Sequence, residues 1–133
     1  MFYRLLSYLP FPALYAIAWV FYLLLYYVAR YRRDVVAQNL ARAFPDKDPG
    51  ERTELGKHFY RRLCQVAVEI IKARNMQPEE FLERARFINP ELLQQYSQDF
   101  TRSVIVLTIH QGNWEWMLHG ATTHFQIPID PVY

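Results

Sequence analysis

A charge-free segment near the amino terminus constrains the fold more than any other feature. No charged residue lies between Arg4 and Arg30, a span of about 25 residues, which is long enough for one tilted transmembrane helix. Pro10 and Pro12 disfavour an unbroken helix, because proline lacks a backbone N–H and clashes with the preceding turn. We therefore expect a continuous helix from Pro12 to Ala29, about 18 residues, near the lower limit for crossing a bilayer.

The segment predicts an N-terminal membrane anchor at residues 1–30, either spanning the bilayer or lying in its interface. Its aromatic, amphipathic character keeps the interfacial alternative open; the residues concerned are Trp19, Tyr22, Tyr26 and Tyr27. A cleaved signal peptide is not favoured, because arginines follow the apolar run at once and no small-residue cleavage motif is present. The basic residues Arg30, Arg32 and Arg33 outweigh Arg4 and the terminal amine, which places the following chain in the cytoplasm.

Charge and cysteine content narrow the possible partners. Residues 1–74 carry 12 basic and 6 acidic residues, a net charge of +6, whereas residues 75–133 carry 3 basic and 7 acidic residues, a net charge of −4. A basic stretch directly after an apolar segment is typical of contact with an anionic membrane surface, and no nucleic-acid-binding motif supports the rival partner. The single cysteine, Cys64, excludes an internal disulfide framework and a CxxC zinc site; we expect it to be a small core residue.

Apolar periodicity and capping residues predict five helices after the anchor. The longest has apolar residues at helical spacing from Leu55 to Ile70, and Asp48 is expected to cap it with Pro49 in its first turn. The predicted helices are Arg33–Ala43, Glu51–Ala73, Pro78–Ala85, Pro90–Tyr96 and Trp114–His124.

The second half of the chain also contains strand-like patterns, so the predicted fold class is α/β. The clearest is Ser103–Ile109, a continuous run of mostly β-branched residues that is typical of a strand buried on both faces. Arg86–Ile88 is a possible short strand, and Ile127–Tyr133 is expected to begin another extended segment. A lone strand–helix–strand unit leaves its sheet edges unpaired, so we expect the chain to be the first part of a longer, truncated domain.

The string His110-Gln-Gly-Asn-Trp-Glu115 is the strongest candidate for chemistry. His110 directly follows the predicted buried strand, and ligands of open α/β sheets bind at the carboxyl ends of strands. Gly112 permits a sharp turn, and Asn113 can cap the next helix. Glu115 would then lie in the first helical turn, from which its carboxylate can fold back toward the imidazole and stabilise the imidazolium. His110 would act as a general base for a hydroxyl.

Spacing alone leaves His110 open to a purely structural role, but the complete string points to a family. IHQGNWEW resembles the H-x4-[DE] block of glycerolipid-type acyltransferases and, more closely, the H-x-GNWE block of the bacterial lipid A biosynthesis (late) acyltransferase family. A second block is similar to the pattern that follows the anchor in that family; it comprises Arg32, Arg33, Val36, Asn39, Leu40 and the run Ala43-Phe44-Pro45. The resemblance covers nearly the whole chain.

This resemblance implies the start of an acyltransferase-type α/β sheet at the cytoplasmic face of the bacterial inner membrane. It implies acyl carrier protein as the thioester donor and a lipid hydroxyl, usually of a lipid A precursor, as the acceptor. His110 would be the base and Glu115 its partner, and no cofactor or metal is expected. The family continues for roughly as long again, so residues 31–133 would be an incomplete N-terminal part of the cytoplasmic acyltransferase domain, inactive by itself.

Other readings of the same residues remain open. Glu115 and His119 are four apart on the predicted helix, a spacing that suits a metal-dependent membrane hydrolase, although no third ligand is evident. A non-catalytic membrane fragment is a further alternative. Gly112, Asn113 and Trp114 are candidate substrate-binding residues. Trp114 and Trp116 could line an acyl-chain slot or pack against the predicted sheet, and Asn113 could donate to an oxyanion or only cap the helix.

Overall fold

The computed structural model describes residues 2–132, except for the side chain of Phe2. It is 65% helical. Its residues form two compact units, residues 1–74 and 75–133. The first unit contains α1 (Phe2–Ser7), α2 (Phe11–Leu23), a π-helical turn (Leu24–Val28), α3 (Arg33–Ala43) and α4 (Pro49–Ala73). The second contains α5 (Pro78–Arg84), α6 (Pro90–Tyr96) and α7 (Trp114–Phe125).

The core of the first unit lies between α2 and α4. Side chains four residues apart lie on one side of a helix. On α2 these are Leu14, Ala18 and Tyr22, which are almost completely buried. They pack with Tyr60 and Cys64 of α4, so the prediction that Cys64 is a core residue is confirmed. Burial among apolar groups raises the pKa of the Cys64 thiol, since the thiolate loses its hydration.

Helix α4 begins where its sequence predicts, at a capping box. The Asp48 carboxylate accepts a hydrogen bond from the Glu51 backbone N–H at 2.9 Å, and the Glu51 carboxylate accepts one from the Asp48 N–H at 3.2 Å. Two of the unpaired N–H groups at the helix start are thereby satisfied. Pro49 occupies the first turn, where its missing N–H costs nothing.

The apolar segment forms one helical rod from Phe11 to Val28, and the break at Pro10 is as predicted. This 18-residue stretch has a mean hydropathy of 1.7 and only 22% of it is buried within the chain. By length and composition it could cross a membrane, although a core helix or a signal sequence can satisfy the same criteria. Arg30 and Arg32 follow it with positive φ angles of 50° and 51°, which turn the chain into α3.

The predicted α/β fold is wrong for the part of the chain that the structure describes. No strand or sheet is present between residues 2 and 132. The segment Ser103–Ile109 has no ladder of backbone hydrogen bonds, and Ile105 and Leu107 are 89% and 92% exposed instead of buried on two faces. A strand requires a neighbour for its N–H and C=O groups, and no neighbouring segment supplies one.

The two smaller predicted strands fail for the same reason. Arg86–Ile88 is irregular, with Ile88 91% exposed. Residues 127–132 have no regular secondary structure, and the last residue of that predicted segment, Tyr133, lies outside the described residues. The second unit is therefore helical, with irregular connections where strands were expected.

Candidate functional site

The residues of the HQGNWE string lie at the amino-terminal end of α7, in the second unit. Ile109 accepts a hydrogen bond from the Gln111 backbone N–H at 2.9 Å, which starts a tight turn. Gly112 follows with φ = +68°, a left-handed conformation in which a Cβ would be strained. The glycine thus has the role that the sequence predicted, because it permits the backbone to reverse between His110 and the helix.

Asn113 is the N-cap of α7, as predicted. Its side-chain oxygen accepts a hydrogen bond from the Trp116 backbone N–H at 3.0 Å. This contact satisfies one of the otherwise unpaired N–H groups of the first turn. Glu115 lies in that first turn and is half-buried, where the positive end of the helix dipole stabilises its negative charge.

His110 and Glu115 lie on opposite sides of the same turn. His110 is in the irregular segment before the turn, and Glu115 is in the helix that follows it. His110 is exposed, and its ring lies 4.9 Å from the Trp114 ring, centroid to centroid, at 57°. Among the contacts of residues 2–132, no hydrogen bond or ion pair joins the imidazole to the Glu115 carboxylate. The structure therefore places the proposed base and its partner in one short segment, while their direct pairing stays a prediction.

The two tryptophans of the string have different surroundings. Trp114 is half-buried and contacts His110. Trp116 is 7% exposed, and the Arg84 guanidinium lies 5.5 Å from its ring centroid. Trp114 is thus the tryptophan beside the candidate base, whereas Trp116 holds α7 within its unit. Arg84 has no signal in the sequence, because a cation stacked on an aromatic ring leaves no spacing pattern.

The histidines on α7 lie against aromatic rings. The His119 ring is 4.9 Å from that of Phe81 on α5, and the His124 ring is 5.5 Å from that of Phe87. Within residues 2–132 no group of three His, Cys, Asp or Glu side chains is placed to hold a metal ion.

The second sequence block forms α3 and its junction with α4 in the first unit. The Arg33 guanidinium lies 4.4 Å from the Tyr26 ring centroid. At the other end of α3, Arg52 donates hydrogen bonds to the backbone carbonyls of Phe44 and Pro45, both at 3.4 Å. The Phe44-Pro45 pair therefore ends a helix and is fixed by a cation from α4, a structural role for this part of the block.

Comparison with known protein families identifies the class of protein. The family described as bacterial lipid A biosynthesis acyltransferase matches residues 1–124, which include both sequence blocks. No curated protein and no solved structure gives a significant match.

The chain belongs to the bacterial lipid A biosynthesis acyltransferase family. The expectation drawn from the HQGNWE string and the upstream block is confirmed at this level. Membership carries an acyltransferase function in lipid A biosynthesis, with an acyl donor and a lipid acceptor in general terms, and association with membranes.

Proposed function

We propose that the enzyme transfers a fatty acyl chain from an acyl-carrier-protein thioester to a hydroxyl of a membrane lipid, a lipid A precursor. The observation that carries this proposal is the family match over residues 1–124, which contains the complete HQGNWE string at the start of α7. A general base promotes hydroxyl attack on a thioester, and a nearby carboxylate can stabilise the cation that the base becomes.

In this mechanism His110 acts as the general base. Its imidazole removes the proton of the lipid hydroxyl as the oxygen attacks the thioester carbonyl carbon. The carbon–sulfur bond then breaks, and the carrier thiolate leaves with the proton that His110 held. The exposure of His110 at a turn makes its ring accessible to a substrate hydroxyl. No covalent acyl-enzyme intermediate is needed.

Glu115 stabilises the imidazolium that forms when His110 takes the proton. This role requires the carboxylate to approach the imidazole once substrates are bound, and catalytic hydrogen bonds are often long or unformed before binding. The two residues lie on either side of the turn at Gly112 and the cap at Asn113, five positions apart in the chain.

Gly112, Asn113 and Trp114 are proposed to contact the substrates. Gly112 has no Cβ, and a Cβ built there would meet no atom within 4 Å, so its backbone is open to close approach by a ligand. The Trp114 ring beside His110 offers an apolar surface for the start of an acyl chain. Asn113 caps the helix through its side-chain oxygen, and its side-chain amide is a candidate donor to an oxyanion.

We further propose that this chemistry takes place at the cytoplasmic face of the bacterial inner membrane, with residues 1–30 as the anchor and residues 31–133 as the N-terminal part of the acyltransferase domain. The arginines after the apolar helix support this location, because the anionic lipids of the cytoplasmic leaflet attract nearby basic residues. Anchoring would raise the effective concentration of a membrane-bound acceptor at the site.

The test is a thioester-to-lipid transfer assay on three variants of the full-length enzyme. His110→Ala should lower turnover about 10²- to 10⁴-fold, the usual contribution of general-base catalysis. Glu115→Gln should also be impaired, because an amide keeps the shape but cannot balance an imidazolium charge. His119→Ala is the matched control, since this histidine lies on the same helix but has no role in the mechanism.

Thermal unfolding of each variant must accompany the assay, so that loss of activity is separated from loss of fold. Normal transfer by a well-folded His110→Ala enzyme would refute the assignment of the base. Loss of activity in His119→Ala that added metal restores would favour the metal-dependent hydrolase instead.

A further inference from the structure

The apolar rod formed by α2 and the π-helical turn packs lengthwise against α4. Near its start, the Tyr15 hydroxyl donates a hydrogen bond to the buried Glu69 carboxylate at 3.0 Å. Near its end, the Tyr26 and Tyr60 rings meet edge to face at 5.4 Å. Between these points lies the buried core of the unit. Whatever orientation and depth α2 has in a membrane, α4 must therefore lie alongside it.

Cationic side chains cover the rings of the rod along its whole length. Arg61 of α4 lies over the middle of the rod, with its guanidinium 5.4 Å from the Trp19 ring centroid and 5.2 Å from that of Tyr22. The other cation–ring pairs are Lys72 with Phe11 at 5.8 Å and Arg33 with Tyr26 at 4.4 Å. Helices that cross a bilayer carry their cations at the two ends, where water and headgroups begin.

Charged groups on α4 oppose a transmembrane orientation of the rod. If the rod crossed the bilayer, Arg61 would lie near the bilayer centre, because its guanidinium stands beside the middle of the apolar window. Arg62, the next residue of α4, would lie within the bilayer as well. The side chain of Arg62 is 55% exposed, and its guanidinium lies 3.7 Å from the Glu69 carboxylate. Exposed charges at that depth are costly and rare.

The remaining side of the rod is apolar and exposed. Its exposed residues include Val20 at 54% and Val28 at 73%, and neither these nor their neighbours from residue 5 to residue 29 carry a charge. The others on this side with large exposed side chains are Phe21, Leu23, Leu24 and Tyr27. The boundary between charged and apolar surface thus runs along the rod and not across it.

We propose that the first unit binds one leaflet of an anionic phospholipid bilayer with α2 parallel to the membrane plane. The exposed side of the rod enters the boundary between headgroups and acyl chains, which interfacial helices reach to a depth of about 5–10 Å. The cations on its rings lie at the level of the lipid phosphates, and the net charge of +6 on residues 1–74 favours anionic lipid. This inference rests on the proposed membrane attachment and specifies how that attachment is made.

Depth measurements on two matched positions test the orientation. We would place a single cysteine at Val20 or Val28 in a Cys64→Ala background, attach a fluorophore, and quench it with lipids labelled at shallow or deep acyl positions in anionic vesicles. If α2 lies in the plane, both positions should show the same shallow depth. A spanning helix would place Val20 near the bilayer centre and Val28 about 12 Å nearer the surface, at 1.5 Å per residue.

The outcomes separate this inference from the proposed anchor. Binding to vesicles with equal, shallow quenching at both positions supports the in-plane orientation. Binding with deep quenching at Val20 alone overturns the orientation and leaves the anchor intact. Failure of the unlabelled chain to bind any vesicle overturns both. Circular dichroism of each variant shows whether its helices are retained, and the Cys64→Ala chain without a second substitution is the folding control.

Discussion

Gly120 offers a sharp test of how the second unit packs. This glycine is buried on α7, and a Cβ built on it would lie 2.8 Å from the Ala85 Cβ at the end of α5. Real Cβ atoms do not approach each other so closely, and the Ala85 backbone carbonyl is 3.5 Å from the same point. Gly120→Ala should therefore force α5 and α7 apart.

The expected magnitude comes from two opposing effects. Adding a methyl group to a site without room costs about 1–3 kcal/mol. Alanine is favoured over glycine in a helix interior by roughly 1 kcal/mol. The net effect of Gly120→Ala should lie between no change and about 2 kcal/mol of destabilisation.

A second buried helical glycine provides the matched control. A Cβ at Gly56 on α4 would lie 3.6 Å from the Leu40 side chain, an ordinary contact distance. Gly56→Ala should keep the gain in helix propensity and stabilise the first unit by about 0.5–1 kcal/mol. In the second unit, Ala85→Gly combined with Gly120→Ala removes the clashing methyl, and the two substitutions should show a favourable coupling of about 0.5–3 kcal/mol.

Denaturant unfolding followed by tryptophan fluorescence measures these free energies. Trp116 is buried in the second unit, so it reports on Gly120→Ala when Trp19 is replaced by phenylalanine. For Gly56→Ala the reporter is Trp19, with phenylalanine at Trp114 and Trp116. If Gly120→Ala stabilises its unit as much as Gly56→Ala stabilises the first, or if Ala85→Gly brings no recovery, the close packing of α5 on α7 is refuted.

Three further predictions concern caps and the buried thiol. Asn113→Ala should destabilise the second unit by about 1 kcal/mol, because a cap of α7 is lost, while Asn113→Asp should be nearly neutral in denaturant unfolding. Asp48→Ala should cost the first unit a similar amount through its capping box, and an unchanged unfolding midpoint would contradict that role. Cys64 should react with a maleimide more slowly than an exposed thiol at pH 8, because burial raises its pKa and lowers the thiolate fraction. The rate should rise as the pH passes above about 8.5, the ordinary thiol pKa, and rapid labelling of the folded chain at pH 8 would show that Cys64 is not buried.

Local sequence signals predicted the helices well. Helices α3 and α6 have the bounds that were expected, and α4, α5 and α7 differ by one or two residues at one end. The reason is that caps act over a few residues: Asp48 and Asn113 each accept a backbone N–H three residues ahead. The HQGNWE string was likewise visible because its residues are adjacent in sequence.

Long-range packing was not accessible in the same way. Periodicity predicts an apolar stripe on α4 but not the helix against which that stripe packs. The sequence therefore predicts residues 1–30 as a separate anchor. In the structure Tyr15 bonds to Glu69, 54 residues away, and Arg61 covers the ring of Trp19. A contact of this kind between two helices leaves no pattern in the sequence of either helix. Because of such contacts, the first unit includes α4 and extends to Arg74.

The absence of a strand at Ser103–Ile109 removes the reason for expecting His110 at the edge of a sheet. A run of β-branched and apolar residues indicates that Ser103–Ile109 is suited to a strand, but forming one requires a partner for each N–H and C=O. Among residues 2–132 no segment pairs with it, so Ile105 and Leu107 stay exposed. The ligand site expected at the end of a sheet therefore has no support from the fold. What remains is local: a turn at Gly112, a capped helix, and a base and carboxylate on either side of them. That arrangement is encoded within six residues and was therefore visible without a sheet, and the His110→Ala assay tests the chemistry proposed for it.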